Sequence, residues 1–492
     1  MKKIYFYTLV SCLIFTLISC EKELSTPPPN AKVNGTAVVD LKSAQNTLNG
    51  VYYRQANASA TTYNWQNQNV HPGMLTGMLG YGLGAYDDET NNNLNSRFMQ
   101  VLNPWAQWYA TVNAANGMLD GLKNLADRVI LPARKSEMEA EAKFLRAYSN
   151  FKLLMFFAEW NDQSSAKGIL IHNELSSIGT IIKARSSVAE SYKAILDDLD
   201  FAVANGPTTN PNYYMNKYAA MVLQARVLLT RGQSADISKA LALTNQVLSS
   251  NKYTLEPNLK DIFYNKGLAS AEVIMGIKPQ GLQENIRTNS GAYSIPTVVG
   301  VVYVAKRDFV NLLAGDPRGT WMHGPLTPPE FQAGSPDTYF YTKYLPFNAA
   351  SNAPTPFTQI SETSYVARLS EVYLLKAEAI IRSGGALNDA KLAIKTVMAR
   401  AGIPSGSPLF TPVDNANTQM DLWKQVYFET LRNLTGEDGI DWFALLRFPF
   451  ENIKQLRPTI TSTTQLWFGV PVAEFQSNPL FGPQNAGGYP TQ

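Results

Sequence analysis

The chain has 492 residues, of which 45% are hydrophobic, and its 42 Lys and Arg nearly balance 39 Asp and Glu. This composition excludes a disordered or collagen-like chain, because enough apolar surface is present to offset chain entropy. A net charge of +3 without a long basic run argues against nucleic acid as a partner. Only 16% of the residues are charged, so we expect a surface that forms hydrogen bonds more than ion pairs.

The N-terminus has the features of a bacterial export signal. Lys2 and Lys3 precede an apolar stretch over residues 4–18 that is too short to span a bilayer, which needs about 20 residues. It ends in Leu-Ile-Ser-Cys20, which resembles the lipobox of bacterial lipoproteins. We therefore predict a signal peptide over 1–19 with Cys20 as the lipidated anchor; the alternative is an ordinary secretory signal with an accidental cysteine. Cys12 is the only other cysteine, so disulfides and thiolate metal sites are excluded beyond residue 20.

Helical periodicity dominates the chain after a Pro-rich tether over residues 20–39. The apolar spacing predicts helices at 40–55, 104–125, 136–160, 188–202, 216–231, 236–250, 365–383, 388–401 and 420–431. Pro104 stands at the predicted start of the second helix, and Ser187 to Glu190 has the spacing of a capping box. Between residues 256 and 365 this pattern fades, and short β-like runs appear at 272–277 and 298–304.

Helical pairs joined by short turns predict a mostly α, tetratricopeptide-like scaffold with long irregular loops and a few short strands. We assign one domain to residues 40–492. Its helical scaffold covers 40–255 and 365–448, a loop-rich ligand-binding region covers 256–364, and an irregular C-terminal region covers 449–492.

The segment AEAKFLRAYSNFKLLMFFAEW at residues 140–160 resembles the SusD/RagB family of Bacteroidetes outer-membrane lipoproteins. Stretches at 192–204, 217–232, 368–379, 397–404 and 428–447 agree with that family in order and spacing, as do Gly469-Val470-Pro471 and the residues up to Tyr489. The chain departs from the family's acidic and basic pattern at 428–432 and 437–442. The resemblance implies a lipid-anchored outer-membrane protein at the cell surface. It further implies a protein that binds oligosaccharides, or peptides in the RagB branch, and passes them to a TonB-dependent transporter of the SusC type.

Two aromatic and amide-rich clusters are candidate ligand surfaces, because sugar rings stack on flat apolar faces and their hydroxyls bond to neutral amides or carboxylates. The loop after the first helix supplies Trp65, Tyr81, Tyr86 and Asp87. The irregular middle supplies Tyr293, Arg318, Trp321 and Tyr339, with Tyr303, Asp316 and Tyr341 beside them. The resemblance implies that these two regions meet. The alternative is that the aromatic side chains fasten the loops to the helices, as we expect for Trp105, Trp108, Trp160, Trp423 and Trp442 in the core.

No catalytic or metal-binding motif stands out, so we predict a binding protein without catalysis, cofactor or metal. The three histidines are far apart, no Gly-x-Ser-x-Gly elbow occurs, and the adjacent pair Asp197 and Asp198 reads as a solvated helix face. Three alternatives stay open. Met74, Met78 and Leu79 favour a peptide ligand, a lipoprotein glycosidase would need convergent carboxylates, and a protein-binding scaffold would bury its loop aromatics.

Overall fold

Helices stacked in chain order form the body of the protein. The computed structural model describes residues 37–57, 66–82, 88–94, 99–279, 303–325, 338–346 and 358–491. Within these ranges the longer helices are α1 Leu41–Asn57, α2 Met99–Lys123, α3 Pro132–Phe157, α4 Val188–Asn205, α5 Lys217–Arg231, α6 Ser234–Ser249, α7 Leu369–Arg382, α8 Leu387–Arg400 and α9 Gln419–Leu434. Each of these helices packs on the next, from α1 on α2 through to α9 on α7 and α8. The predicted mostly α, repeat-like scaffold is confirmed.

Short elements complete the described part of the chain. The short helices are His71–Leu75, Leu259–Asp261, Arg307–Leu312, Thr411–Asp414, Ile440–Leu446, Phe450–Leu456 and Val472–Ser477. The strands are β1 Leu79–Tyr81, β2 Val273–Ile277, β3 Tyr303–Lys306, β4 His323–Pro325, β5 Thr338–Tyr341 and β6 Ser364–Arg368. Strands β2 and β6 form an antiparallel pair, and the other four form a sheet in the order β1-β3-β5-β4.

The helix termini follow the local sequence signals. The Ser187 Oγ accepts a hydrogen bond from the Glu190 amide at 3.1 Å, and the Glu190 carboxylate accepts one from the Ser187 amide at 2.8 Å, which completes the predicted capping box of α4. The Asn216 side chain caps α5, and Gly232 ends it at φ 76°, a left-handed conformation that glycine adopts without steric cost. These signals involve neighbours only, which is why they could be read directly from the sequence.

The helix α3 lies at the centre of the stack. Its side chains Phe144, Ala147 and Phe151 are fully buried, and their spacing of three and four residues is part of the pattern that predicted the helix. The five tryptophans assigned to the core, Trp105, Trp108, Trp160, Trp423 and Trp442, are all buried.

Buried ion pairs join distant helices. The Arg226 guanidinium of α5 contacts Glu371 of α7 at 2.9 Å and Asp438 at 2.7 Å, and Lys152 of α3 also contacts Asp438, at 2.9 Å. In a second cluster Glu437 accepts from Arg368 at 2.6 Å and from Lys343 at 2.5 Å. Because removal of one partner leaves an uncompensated charge in the interior, these clusters fix how the helices and loops meet.

Three elements differ from the sequence-based expectation. The helix α2 begins at Met99, so Pro104 lies inside it and one intrahelical hydrogen bond is lost. Residues 364–368 form strand β6 before α7 begins, because they pair with β2 and are buried on both faces. The C-terminal region contains the two short helices Phe450–Leu456 and Val472–Ser477.

Candidate functional site

The four-stranded sheet brings together the two loop regions that contain the candidate ligand residues. Strand β1 pairs with β3 so that Tyr81 lies opposite Tyr303, and β3 pairs with β5 so that Ala305 lies opposite Tyr339. Paired and alternate residues of antiparallel strands share one face, so Tyr81, Tyr303 and Tyr339 lie on the same face. Since β1 and β5 are two strands apart, Tyr81 and Tyr339 are separated across the sheet by about 10 Å.

The tyrosines in the centre of this face are buried against the scaffold, and those at its two ends are partly exposed. The Tyr341 hydroxyl donates to the Thr435 carbonyl at 2.8 Å, and both Tyr341 and Tyr303 are buried. Tyr81 is half-buried, with its ring 6.0 Å from that of Tyr303 in an edge-on arrangement. The buried tyrosines therefore hold the sheet in place, while Tyr81 and Tyr339 remain partly accessible at opposite ends.

The end around Tyr339 combines aromatic rings with polar groups. The His323 ring lies 6.0 Å from the Tyr339 ring, and the Arg307 guanidinium lies 5.0 Å above the Tyr339 ring centroid. Burial lowers the pKa of His323, so its imidazole is neutral at pH 7 and offers one donor and one acceptor. The Tyr339 side chain is half-buried.

The Trp321 residue is held by aromatic neighbours and by hydrogen bonds to its own carbonyl. It packs 5.7 Å from the Tyr264 ring and 6.0 Å from the Phe263 ring. Its carbonyl accepts hydrogen bonds from the Tyr264 hydroxyl at 3.2 Å and from the Thr342 hydroxyl at 2.6 Å. The indole N–H forms no hydrogen bond within the described residues. A half-buried ring that is clamped by its backbone and neighbours is a preorganised platform for a ligand.

We name the half-buried groups Tyr81, Trp321, His323 and Tyr339 the aromatic surface; Tyr81 lies at one end of the sheet, and His323 and Tyr339 lie at the other. It presents flat apolar rings with neutral donors and acceptors at their edges, and this combination suits a sugar ring, which has apolar C–H faces and a rim of hydroxyls. Tyr264 and His323 were missed as contributors by sequence reasoning. Tyr264 meets Trp321 from 57 residues away, and no local pattern indicates such a contact.

Comparison with known families and structures agrees with the fold. The family described as "SusD-like_3: Starch-binding associating with outer membrane" matches residues 30–229, and the one described as "SusD_RagB: SusD family" matches residues 315–485. The chain belongs to the SusD/RagB family. A SusD-like protein of Bacteroides ovatus is 21% identical over 326 residues, which is 58% of this chain. The chain spans 56% of the length of that relative.

Solved structures of SusD proteins share the fold over most of this chain. A SusD superfamily protein of Bacteroides thetaiotaomicron has a TM-score of 0.73 at 20% identity and covers 91% of this chain and 100% of its own. A laminarin-binding SusD-like protein has a TM-score of 0.69 at 19% identity, covering 91% and 100%. NanU of B. fragilis has a TM-score of 0.71 at 17% identity, covering 94% and 100%. At these identities the likeness shows the fold.

Within this SusD-family fold the structure corrects the assignment of Arg318 as a ligand-binding residue. The guanidinium is fully buried and contacts Asp316 at 2.7 Å and Glu429 at 2.5 Å. Coulombic attraction and hydrogen bonds from these carboxylates raise the pKa of Arg318 despite its burial. Its charge is therefore satisfied by the protein, and the side chain fastens the loop region to α9.

Some of the remaining sequence-based candidates lie outside the described residues, and the structure shows the burial of the others. Trp65, Tyr86, Asp87, Tyr293 and the anchor Cys20 lie outside the described residues. Asp198, predicted on a solvated face, is instead buried and contacts Arg146 at 2.7 Å, whereas Asp197 is exposed as expected. The methionines and leucine that favoured a peptide ligand, Met74, Met78 and Leu79, are all buried in the core.

Most acidic side chains in the described interior are partners in ion pairs. Among the described residues, no group of three or more His, Cys, Asp and Glu is arranged to hold a metal ion. The buried carboxylates of Glu371, Glu429 and Glu437 contact arginines. In the same part of the chain, no helix is both long and apolar enough to cross a membrane.

Proposed function

We propose that this SusD-family protein is a cell-surface glycan-binding lipoprotein. It is anchored to the outer membrane through Cys20, captures oligosaccharides without cleaving them, and delivers them to a SusC-type TonB-dependent transporter. The observation that carries the proposal is the aromatic surface, where half-buried rings with uncharged polar edges lie at the junction of two loop regions. The matching family described as starch-binding and the structurally similar laminarin-binding SusD-like protein support a sugar as the ligand.

Three features of the aromatic surface support a neutral sugar. Trp321 offers a ring and an indole N–H that has no partner among the described residues, Tyr339 offers a ring and a hydroxyl, and His323 is uncharged at pH 7. Stacking and neutral hydrogen bonds are only weakly screened by salt. Binding at this surface is therefore expected to change little between low and high ionic strength.

The competing functions receive less support from the described residues. A peptide ligand was favoured by apolar loop side chains that turn out to be buried. A pure scaffold predicts loop aromatics that are wholly buried, whereas Tyr81, Trp321 and Tyr339 are each partly exposed. A hydrolase would need converging carboxylates with one raised pKa in a cleft, whereas the interior carboxylates of Glu371 and Glu429 contact arginines.

The test is calorimetric titration of residues 21–492 with glycans chosen from an array screen. Trp321→Ala and Tyr339→Ala are each expected to weaken binding by about 1–3 kcal/mol, the scale of an aromatic hot spot. Tyr373→Ala, at a half-buried tyrosine of helix α7, is the matched control and should leave binding unchanged. Unchanged binding in both surface variants, with a lowered melting temperature, would show that these rings only fasten the loops.

Catalysis is tested on the same material. Oligosaccharides incubated with the protein should show no growth of reducing ends over a long incubation. A steady release of reducing ends that is abolished by one Asp or Glu substitution would overturn the non-catalytic part of the proposal.

A further inference from the structure

A second concave surface lies away from the four-stranded sheet, beside helix α1. Its volume is about 480 Å³, which falls in the range of about 300–1,000 Å³ typical of ligand pockets. The wall is formed by one face of α1, by the turn containing Tyr213 and Tyr214 that precedes α5, and by Ile277 and Lys278 at the end of β2. None of its lining residues belongs to the aromatic surface. We name it the α1 pocket.

The tyrosines of the α1 pocket are held rigidly from the core. The Tyr52 hydroxyl donates to the buried Glu141 carboxylate at 2.7 Å and accepts from the Met215 amide at 2.8 Å. The Tyr52 ring lies 4.8 Å from the Tyr214 ring, which in turn lies 4.8 Å from the Tyr213 ring. The wall is therefore fixed before any ligand arrives, and this lowers the entropic cost of binding.

The rim of the pocket carries polar groups that have no hydrogen-bond partner among the described residues. The Asn49 side-chain oxygen accepts from Tyr214 at 3.3 Å and from Gln45 at 3.1 Å, and its NH₂ group donates to none of the described residues. The hydroxyls of Tyr53 and Tyr213 form no hydrogen bond within the described residues, and the Tyr53 side chain is 43% exposed. Two tyrosine rings with free hydroxyls and an amide donor match the faces and the hydroxyl rim of a sugar ring.

The charge of the pocket selects among sugars. Among the described residues that line the pocket, Lys278 is the only charged one; its ammonium lies 4.8 Å above the Tyr213 ring and has no ion-pair partner in the same part of the chain. Arg54 stands one helical turn after Gly50 and is exposed. No carboxylate stands among the described lining residues, and Glu141 behind the wall already accepts from Tyr52 and Arg134. An unpaired cation over an aromatic floor favours a ligand with a negative charge.

Gly50 leaves the floor of the pocket open. It lies in the middle of α1, where glycine costs roughly 1 kcal/mol relative to alanine. A Cβ built on Gly50 has no described atom within 4 Å, so close helix packing does not explain the glycine. Its absent side chain instead adds to the space of the pocket that it lines.

We propose that the α1 pocket is a second saccharide subsite, specific for a pyranose that bears a carboxylate, such as a uronic or sialic acid unit. The proposal rests on the proposed glycan-binding function and names the class of sugar. The sugar ring stacks on Tyr53 and Tyr213, its hydroxyls bond to Asn49, and its carboxylate contacts Lys278. Binding at this subsite weakens with salt, in contrast to the aromatic surface, because it includes an exposed charge pair.

The experiment is calorimetric titration of residues 21–492 with oligogalacturonate, hyaluronan fragments and sialyllactose, each beside its neutral counterpart. At least one acidic saccharide should bind more tightly than its neutral counterpart, by about tenfold. Gly50→Leu fills the pocket and should abolish this preference without lowering the melting temperature, since leucine is a better helix former. Lys278→Gln should reduce the preference about fivefold, and Lys42→Gln, at an exposed lysine of the same helix, should not change it.

The outcomes separate this inference from the proposed function. If neutral saccharides bind and lose affinity in Trp321→Ala, while no acidic saccharide is preferred or Gly50→Leu has no effect, the α1 subsite is wrong and the glycan-binding function stands. If an acidic peptide such as triglutamate binds with the same sensitivity to Gly50→Leu and no saccharide competes with it, the assignment to a sugar is wrong. Absence of any saccharide binding to the unmodified chain overturns both.

Discussion

Asp441 makes the stability of this protein depend on pH in a direction opposite to that of most carboxylates. It is completely buried at the start of the short helix Ile440–Leu446, and only its Oδ1 has a hydrogen-bond partner, the Trp442 amide at 2.9 Å. Desolvation raises the pKa of Asp441 to about 7, although the Trp442 amide and Lys343 favour the charged form. A carboxyl group near a helix N-terminus usually gains about 0.3–2 kcal/mol from the charged form, and here burial outweighs that gain.

The sign of the effect follows from proton binding. Between pH 4 and pH 7 the folded chain holds a proton on Asp441 that the unfolded chain has released, so the free energy of unfolding falls as pH rises. The contribution of Asp441 to the free energy of unfolding is fully present below pH 4, and it is lost once the pH has risen through 7. The slope approaches about 1.4 kcal/mol per pH unit, so the loss between pH 5 and pH 7 amounts to about 2 kcal/mol from this group.

Asp441→Asn tests this reasoning, because the amide has the shape of the neutral acid and does not titrate. Relative to the unmodified protein, the variant should gain about 2 kcal/mol in free energy of unfolding on going from pH 5 to pH 7. Urea unfolding at several pH values in this interval measures the difference. The interval stops at pH 7 because burial lowers the pKa of Lys343 to about 8. The same substitution at the exposed Asp197 is the control, and an equal pH dependence in both variants would refute the argument.

Three further predictions concern the interior, a helix cap and the anchor. Arg318→Met should lower the free energy of unfolding by about 3–5 kcal/mol, because it removes the cation that contacts both buried carboxylates, and Arg432, 3.6 Å from Glu429, compensates for this only in part. Lys193→Met at an exposed pair should cost less than about 1 kcal/mol, and equal effects in urea unfolding would contradict the interior role of Arg318. Ser187→Ala removes the capping box and should cost about 1 kcal/mol in the same assay, and no change would mean that α4 does not depend on its cap. Cys20→Ala should move the protein out of the membrane fraction, and continued incorporation of labelled fatty acid into the variant would refute the anchor.

The charged residues at 428–442 show why a departure from a family pattern need not weaken the fold. Glu429 faces Arg318, Glu437 faces Arg368 and Lys343, and Asp438 faces Arg226 and Lys152. All three carboxylates are buried, and each has cationic partners from loops, strands or helices far away in the sequence. A sequence pattern does not tell which distant residues contact these carboxylates. Only the packed structure shows that cations compensate their charges.

The helices of this protein are specified by signals between residues that are close together in the sequence. Apolar spacing in α3 and α5, the Ser187 capping box and the Gly232 terminus are signals between residues at most a few positions apart, so the sequence by itself predicted the scaffold and most helix boundaries. The exceptions, Pro104 inside α2 and strand β6 at the start of a predicted helix, arose where packing against another element outweighed local preference.

The candidate sites depend on contacts that no local pattern contains. Tyr81 meets Tyr303 only through the pairing of two strands, and Arg318 lies 111 residues from the carboxylate of Glu429 that accepts its hydrogen bonds. The sequence could place aromatic and charged residues in the same loops, but the same residue types serve a ligand surface or an interior ion pair. Burial decides between these roles, and it is set by the tertiary packing of distant segments: packing left Trp321 partly accessible and enclosed Arg318 completely.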